Sequence, residues 1–253
     1  AGASVGVVAH RGASAREMEN TMPAFEAAVR CGADAIELDV QLTRDEVPVV
    51  YHDRTLFKLD GSRRRVAERS FDELRHRDFS RRRGARYRGI GVPSLAQVLD
   101  ELGGRIPLML EIKADGERPR SARWRRLVDG VVDAVQRRAL ARHVHVLSFD
   151  AEVLALVGRR APELPRVWNV DAPVEWSPVF QRRLAKVGTL CLPARFATAT
   201  LGRRLQEQDR ALWVYRCDTE HALLLARRSG ATMLITDDPA WLRRRLRETA
   251  SVR

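Results

Sequence analysis

Short apolar runs recur at 5–12, 35–40, 47–53, 107–113, 144–148, 166–170, 189–192, 211–215 and 233–236. Runs of this length, bounded by turn residues, predict strands. Most of the intervening stretches carry helix signals. Asn20-Thr21 followed by Pro23 opens a helix running to Arg30, with Gly32 just past its end. Ser94 after Pro93 opens another that stops at Gly103-Gly104, and an amphipathic stretch covers 121–139. Asp150 can cap a helix ending near Ala161-Pro162, and Asp218 one over 219–228. Repeated strand-helix units imply a parallel sheet. This many predict a closed (β/α)8 TIM-type barrel, α/β in class, forming a single domain over 1–253.

Two features depart from a plain barrel. Nine runs are one more than it needs, and only Thr43-Arg-Asp-Glu46 separates the second from the third. That is too short for a parallel crossover and predicts a hairpin. With Arg44-Asp45 as a two-residue turn, position 39 pairs with 50 and 37 with 52, which sets His52 opposite Glu37. The second feature is the segment 54–92, an insertion after the His52-Asp53 strand and before the next barrel helix. An insertion on the C-terminal side of a barrel is expected to act as a cap over the substrate.

Composition adds bounds. A chain of 253 residues with 45% hydrophobic content can bury a full barrel core. No apolar run approaches the roughly 20 residues that span a bilayer, so no stable membrane insertion is expected. Ala1-Gly-Ala-Ser enters the first strand without a basic segment and a long apolar one, so no signal peptide is visible. Cys31, Cys191 and Cys217 are odd in number and widely spaced, with no metal-ligand pattern. They predict reduced thiols in a cytoplasmic protein. The net charge of +12 raises nucleic acid or an acidic membrane as partner. Arginines are spread over most helices and loops, however, a distribution that fits solvated faces and argues against both partners; with no nucleic-acid motif beside them, no nucleic-acid partner is expected. Only Arg63-Arg64-Arg65 and Arg81-Arg82-Arg83 are denser, and both lie within 54–92.

The candidate chemistry sits where strand-like runs end. Strand alternation projects Glu37 and Asp39 to one side, and likewise Glu111 and Lys113. Charge in an apolar strand is costly to bury unless paired or bound to metal. Three close carboxylates raise one another's pKa values, a conflict that a cation removes; their hard oxygens suit Mg²⁺ or Ca²⁺ better than zinc. His10 and His52 close two other runs and titrate in the range useful for proton transfer.

Ala9-His10-Arg11-Gly12, Glu19-Asn20-Thr21, Glu37-Leu-Asp39-Val40, His52-Asp53, Glu111-Ile-Lys113, Ser148-Phe-Asp150 and Thr236-Asp-Asp-Pro239 occur in register. In this order they resemble the glycerophosphodiester phosphodiesterases, from about residue 5 to 240. The resemblance implies a TIM-type barrel, a divalent metal ion, and hydrolysis of a small-molecule glycerophosphodiester to glycerol 3-phosphate and an alcohol. Carried over by position, it implies Glu37, Asp39 and Glu111 as metal ligands and His10 and His52 as the acid-base pair. It also implies Arg11 and Lys113 as phosphate contacts and Trp213 as an aromatic wall of the substrate pocket, with packing in the core as the other role open to Trp213. Asn20 and Asp53 are expected in supporting roles. His76, His143, His145 and His221 fall outside the motifs and are expected at the surface or in structural positions. The chain departs from the family at Arg216, where asparagine is common; a guanidinium there suits a second anionic group on the substrate. Two alternatives stay open: a lysophospholipid or phosphoinositide phosphodiesterase on the same barrel, and a catalytically silent binding protein. Nothing indicates the oligomeric state.

Overall fold

β1 (Gly6–His10) pairs in parallel with β2 (Ala35–Leu42) on one side and with β9 (Met233–Thr236) on the other. The sheet continues from β2 through β4 (Leu108–Ile112), β5 (Val144–Ser148), β6 (Arg166–Asn169), β7 (Thr189–Pro193) and β8 (Ala211–Tyr215) back to β9. Eight parallel strands therefore close into a barrel, with the ninth, β3 (Pro48–Val50), antiparallel on β2. This is a (β/α)8 TIM-type fold. The computed structural model describes residues 5–114 and 121–250, so the expectation placed on Ala1–Ser4 lies outside the described residues.

Eight helices cover the barrel. They are α1 (Met22–Arg30), α2 (Leu95–Leu102), α3 (Ala122–Gln136), α4 (Ala151–Arg160), α5 (Pro178–Leu184), α6 (Ala199–Gln206), α7 (Glu220–Arg228) and α8 (Pro239–Ala250). Their starts are set locally, because a side-chain oxygen at each first turn accepts a backbone N–H that would otherwise lack a partner. Thr21, Ser94, Ser121, Asp150, Ser177, Thr198 and Thr219 do this for α1 to α7, and Asp238 accepts from Trp241 in α8. The cap of α7 is thus Thr219 and not Asp218. The Asp218 carboxylate instead accepts from the Thr236 hydroxyl and the Asp237 N–H, both at 2.8 Å, and ties β8 to β9.

Three apolar cores follow from the alternation of faces. Strand residues pointing outward pack against the helices in the largest core. Residues pointing inward, among them Val8, Met109, Leu147, Val167, Cys191, Trp213 and Ile235, fill the barrel interior. The insertion has its own core of Leu56, Leu59, Val66, Leu74, Phe79 and Tyr87, packed on Val49 and Tyr51 of the hairpin. It consists of short helical turns at Phe57–Asp60, Phe71–Arg75 and Ser80–Arg83 joined by loops.

The hairpin register differs by one residue from the expected one. Val40 pairs with Val50, Gln41 with Val49 and Leu42 with Pro48. The loop holds three residues, Arg44 to Glu46, with Glu46 in the left-handed region (φ 64°) and the Thr43 N–H bonded to the Val47 carbonyl. The Thr43 hydroxyl also joins Asp45 at 2.6 Å, fixing this longer turn where a two-residue loop was expected. His52 consequently does not face Glu37 across a ladder. It lies beyond the last paired residue, on a segment held by Gln41, whose side-chain amide donates to the carbonyls of Tyr51, His52 and Asp53.

Candidate active site

The C-terminal ends of the strands surround a pocket of about 640 Å³. His10 and Arg11 enter it from the end of β1. That exit is a tight turn: Arg11 (φ 58°) and Gly12 (φ 84°) are both left-handed, and a Cβ on Gly12 would lie 2.6 Å from the Ala24 backbone. Only glycine fits there. The turn is tied down by the Arg11 N–H donating to the Glu37 carbonyl at 2.8 Å and the Asn20 N–H donating to the Arg11 carbonyl at 3.0 Å.

Register sets the acidic cluster. His10 sits beside Glu37 in the parallel pairing of β1 and β2, and Asp39 beside Glu111 in that of β2 and β4. Oxygen atoms of Glu37, Asp39 and Glu111, one from each, lie within 4.8 Å of one another, and all three residues are buried. Two cations meet them. Arg11 Nε is 3.1 Å from Asp39 Oδ2, and Lys113 Nζ is 3.1 Å from Asp39 Oδ1 and also contacts Glu111. Asn20 donates to Asp39 Oδ2 at 2.8 Å while its own carbonyl oxygen accepts from the Asp39 N–H, and Asn169 donates to Glu111 Oε2 at 3.1 Å.

Three carboxylates against two cations leave the cluster one positive charge short. Burial pushes Glu37 well above the usual carboxylate range, and Asp39 and Glu111 push it the same way. Burial also raises Glu111, to about 7, although Lys113 opposes it. Asp39 goes the other way, because Lys113 and Arg11 outweigh its burial. Asp39 Oδ1 and Glu111 Oε1 are buried, and the Lys113 ammonium that pairs with both is the one cation they share. Three buried carboxylate oxygens within 4.8 Å of one another, with negative charge in excess, are the donor set that a divalent cation of the Mg²⁺ or Ca²⁺ type requires.

The two histidines share one arrangement. His10 Nδ1 lies 2.6 Å from Asp237 Oδ1, and His52 Nδ1 lies 2.7 Å from Asp53 Oδ1. An imidazole bound to carboxylate at Nδ1 carries its proton there and presents Nε2. His10 Nε2 points toward the cluster, 3.9 Å from Glu37 Oε2. Asp237 is itself supported by the Ser14 hydroxyl at 3.2 Å, and Asp53 by Lys58 at 3.3 Å. Burial lowers the His52 pKa although Asp39 opposes it; the histidine bonds hold Asp237 and Asp53 low against the effect of their burial.

Across the pocket the lining changes to Leu147, Phe149, Pro193, Ala194 and Tyr215, with Asp171, Arg195, Arg216 and His221 toward the outside. Phe149 and Tyr215 meet edge to face at 6.3 Å, and the Tyr215 hydroxyl donates to the Val170 carbonyl. Arg216 lines the pocket but is itself 3.4 Å from both Asp218 and Asp237. Trp213 does not reach the pocket. It points inward two residues below Tyr215, one layer deeper in the barrel at about 3.3 Å per residue, and rests against His145 with ring centroids 5.2 Å apart. The aromatic wall expected from Trp213 is therefore supplied by Tyr215 and Phe149. No residue of 54–92 is among those lining the pocket; the insertion flanks the mouth and reaches it through Lys58, Asp53 and His52.

Of the residues singled out in the sequence, the fold brings together His10, Arg11, Glu37, Asp39, His52, Glu111, Lys113 and Arg216. Sequence reasoning missed Asn169, the pairing of Asp237 with His10, and His221 on the rim. For Asp237 a signal existed in Thr236-Asp-Asp-Pro239 at the end of β9, the strand that neighbours β1 once the barrel closes.

Similarity to known proteins agrees with this geometry. The profile of the "Glycerophosphoryl diester phosphodiesterase family" matches residues 10–241. A glycerophosphodiester phosphodiesterase of Caldanaerobacter subterraneus is 32% identical over 159 residues, which cover 62% of this chain and 63% of that protein. The chain thus spans less than two thirds of the length of such relatives. A Mycobacterium tuberculosis protein named "Probable glycerophosphodiester phosphodiesterase 1" is 30% identical over 254 residues, covering 93% of this chain and 92% of that one. A glycerophosphodiester phosphodiesterase structure from Parabacteroides distasonis superposes with a TM-score of 0.82, at 24% identity, over 99% of this chain and 100% of that one; at this identity it speaks for the fold alone. With its motifs in register on the strands that form the mouth, the chain belongs to the glycerophosphoryl diester phosphodiesterase family.

Proposed function

We propose that the chain hydrolyses glycerophosphodiesters to glycerol 3-phosphate and an alcohol at the mouth formed by His10, Arg11, Glu37, Asp39, His52, Glu111 and Lys113. The carrying observation is the pair of carboxylate-held histidines above three buried carboxylates. Two imidazoles that each present Nε2 allow one to take a proton from the attacking water while the other gives a proton to the departing alcohol oxygen. The P–O bond to the alcohol breaks as the new O–P bond forms, and the histidines end with exchanged protonation. Asp237 and Asp53 fix the tautomers and stabilise whichever ring is charged. Arg11 and Lys113 lie where they can offset charge on the nonbridging phosphate oxygens.

Glu37, Asp39 and Glu111 would hold the metal ion, Mg²⁺ or Ca²⁺, which when bound supplies Lewis-acid polarisation of a phosphoryl oxygen. Asn20 and Asn169 orient two of those carboxylates. The apolar wall of Phe149, Tyr215 and Leu147 would exclude water beside the alcohol. Three free cysteines fit a cytoplasmic location, and among the described residues no helix is long and apolar enough to cross a membrane.

Turnover of a panel of glycerophosphodiesters, on metal-stripped protein with and without chelator, tests the proposal. Activity should vanish in chelator and return with Mg²⁺ or Ca²⁺. Glu37→Gln, Asp39→Asn and Glu111→Gln should each weaken that rescue. Full activity in chelator would remove the three-carboxylate metal site, and inactivity toward every diester under all metal conditions would remove the function.

A further inference from the structure

The insertion carries most of the chain's excess charge. Residues 54–92 contain thirteen Lys and Arg against five Asp and Glu, a net +8 out of +12 for the whole chain. The excess is concentrated in the two arginine runs. Arg63, Arg64, Arg65, Arg81, Arg82 and Arg83 are all exposed, and among the described residues none of their side chains is paired with an acid. The fold joins the runs into one face. Gly61, just before the first run, faces the Arg82 side chain, with 3.9 Å between a Cβ built on it and the Arg82 Cδ. The Arg82 guanidinium lies over the Phe57 ring, 4.5 Å from its centroid.

Phe57 is 48% exposed, an apolar ring standing in solvent amid arginines. The neighbouring Lys58 reaches Asp53, which holds His52, so this face adjoins the active-site mouth. Phe149, 41% exposed, is on the pocket rim at the same end of the barrel. Both exposed aromatic residues of the described chain therefore stand at the C-terminal end.

We infer that this face is a docking surface for an anionic lipid bilayer, set to hold the catalytic mouth against the membrane without inserting into it. Guanidinium groups pair with lipid phosphates, clustered Arg adds electrostatic attraction to an acidic leaflet, and one aromatic ring enters the headgroup layer as an anchor. A single-stranded nucleic acid would be the other polyanion. It is served by a groove with a succession of stacking aromatics, whereas this face offers one ring. The inference goes beyond the hydrolysis proposed above and does not depend on it, since binding is read without turnover.

The test is co-sedimentation of the full chain with phosphatidylcholine vesicles, with and without phosphatidylglycerol, alongside RNA competition. Wild type should bind the anionic vesicles, bind neutral ones far less, and be released by salt. Replacing the six arginines by glutamine should cut anionic-vesicle partitioning by about tenfold or more, given the usual contribution of each basic residue near such a surface. Phe57→Ser should weaken it less, and hydrolysis of a soluble diester should be unchanged in both variants. Equal binding to neutral and anionic vesicles, unchanged binding by the arginine variant, or displacement from vesicles by stoichiometric RNA would each overturn the inference. Loss of hydrolysis with vesicle binding intact would count against the proposed function and leave the docking surface standing.

Discussion

From β1 to β4 the strand ends carry His10, Arg11, Glu37, Asp39, Glu111 and Lys113, whereas from β5 to β8 they carry Leu147, Phe149, Asn169, Pro193 and Tyr215. The first half is buried charge and needs a scaffold of partners; Asn20, Asp53, Asn169 and Asp237 supply it. The second half is held by packing, with Phe149 edge-on to Tyr215 above Trp213 and His145. The difference separates two tasks. Charge and proton traffic belong to one half. Shape and water exclusion around the alcohol belong to the other, because apolar walls cost nothing to desolvate while each buried charge must be compensated. The crossing point is Asn169, a residue of the apolar half whose amide serves Glu111.

The largest break in this comparison should come from the proton-carrying groups. His10→Ala and His52→Ala should each lower kcat by about 10²-fold or more, with circular dichroism unchanged, since general acid-base groups contribute on that order. Asp237→Asn and Asp53→Asn should lower kcat less and leave KM nearly unaltered, because they act through the imidazoles. Wild-type kcat in either histidine variant would take that residue out of the mechanism.

A smaller effect is expected at the outer rim. Arg216→Asn should raise KM for diesters of an anionic alcohol a few-fold and spare neutral ones. The guanidinium is 56% exposed and already faces Asp218 and Asp237, so its contribution should be that of a surface ion pair, about 0.2–1 kcal/mol. Equal shifts for both substrate classes, or none, would make Arg216 a support for Asp237 only.

The smallest effect concerns His145, the titratable group beneath the apolar half. Burial lowers its pKa, and its Nδ1 has no hydrogen-bond partner. A histidine whose folded pKa is depressed binds fewer protons folded than unfolded in the window just below the unfolded value of about 6.5. Its share of stability is therefore present above that value and is lost as pH falls through it toward the folded pKa. Thermal melting between pH 7.5 and 5 should fall less steeply in His145→Phe than in wild type. Parallel curves would show that His145 is protonated at no cost.

All nine strands and the starts of α1 to α4 were legible in the chain, because short apolar runs and Ser, Thr or Asp caps are local signals. So were the carboxylates Glu37, Asp39 and Glu111, whose charge would be too costly within apolar runs unless cations met it. The hairpin register was not. A single left-handed residue, Glu46, lengthens the turn and shifts every pair by one. The depth of Trp213 was hidden as well: the strand pattern gives the face of a residue but not which layer of the barrel it fills.

The sequence by itself determined the order of elements, the barrel class and the ionisable residues at the strand ends, since each follows from local periodicity and from the energetic cost of burying charge. Tertiary structure alone decided which of those residues meet. Closure brought Asp237 of the last strand to His10 of the first, 227 residues apart, at 2.6 Å, and placed Asn169 against Glu111. It also gathered two arginine runs and Phe57 into one face beside the mouth. Such partnerships depend on barrel closure and on loop paths, which are set by the packing of the whole molecule.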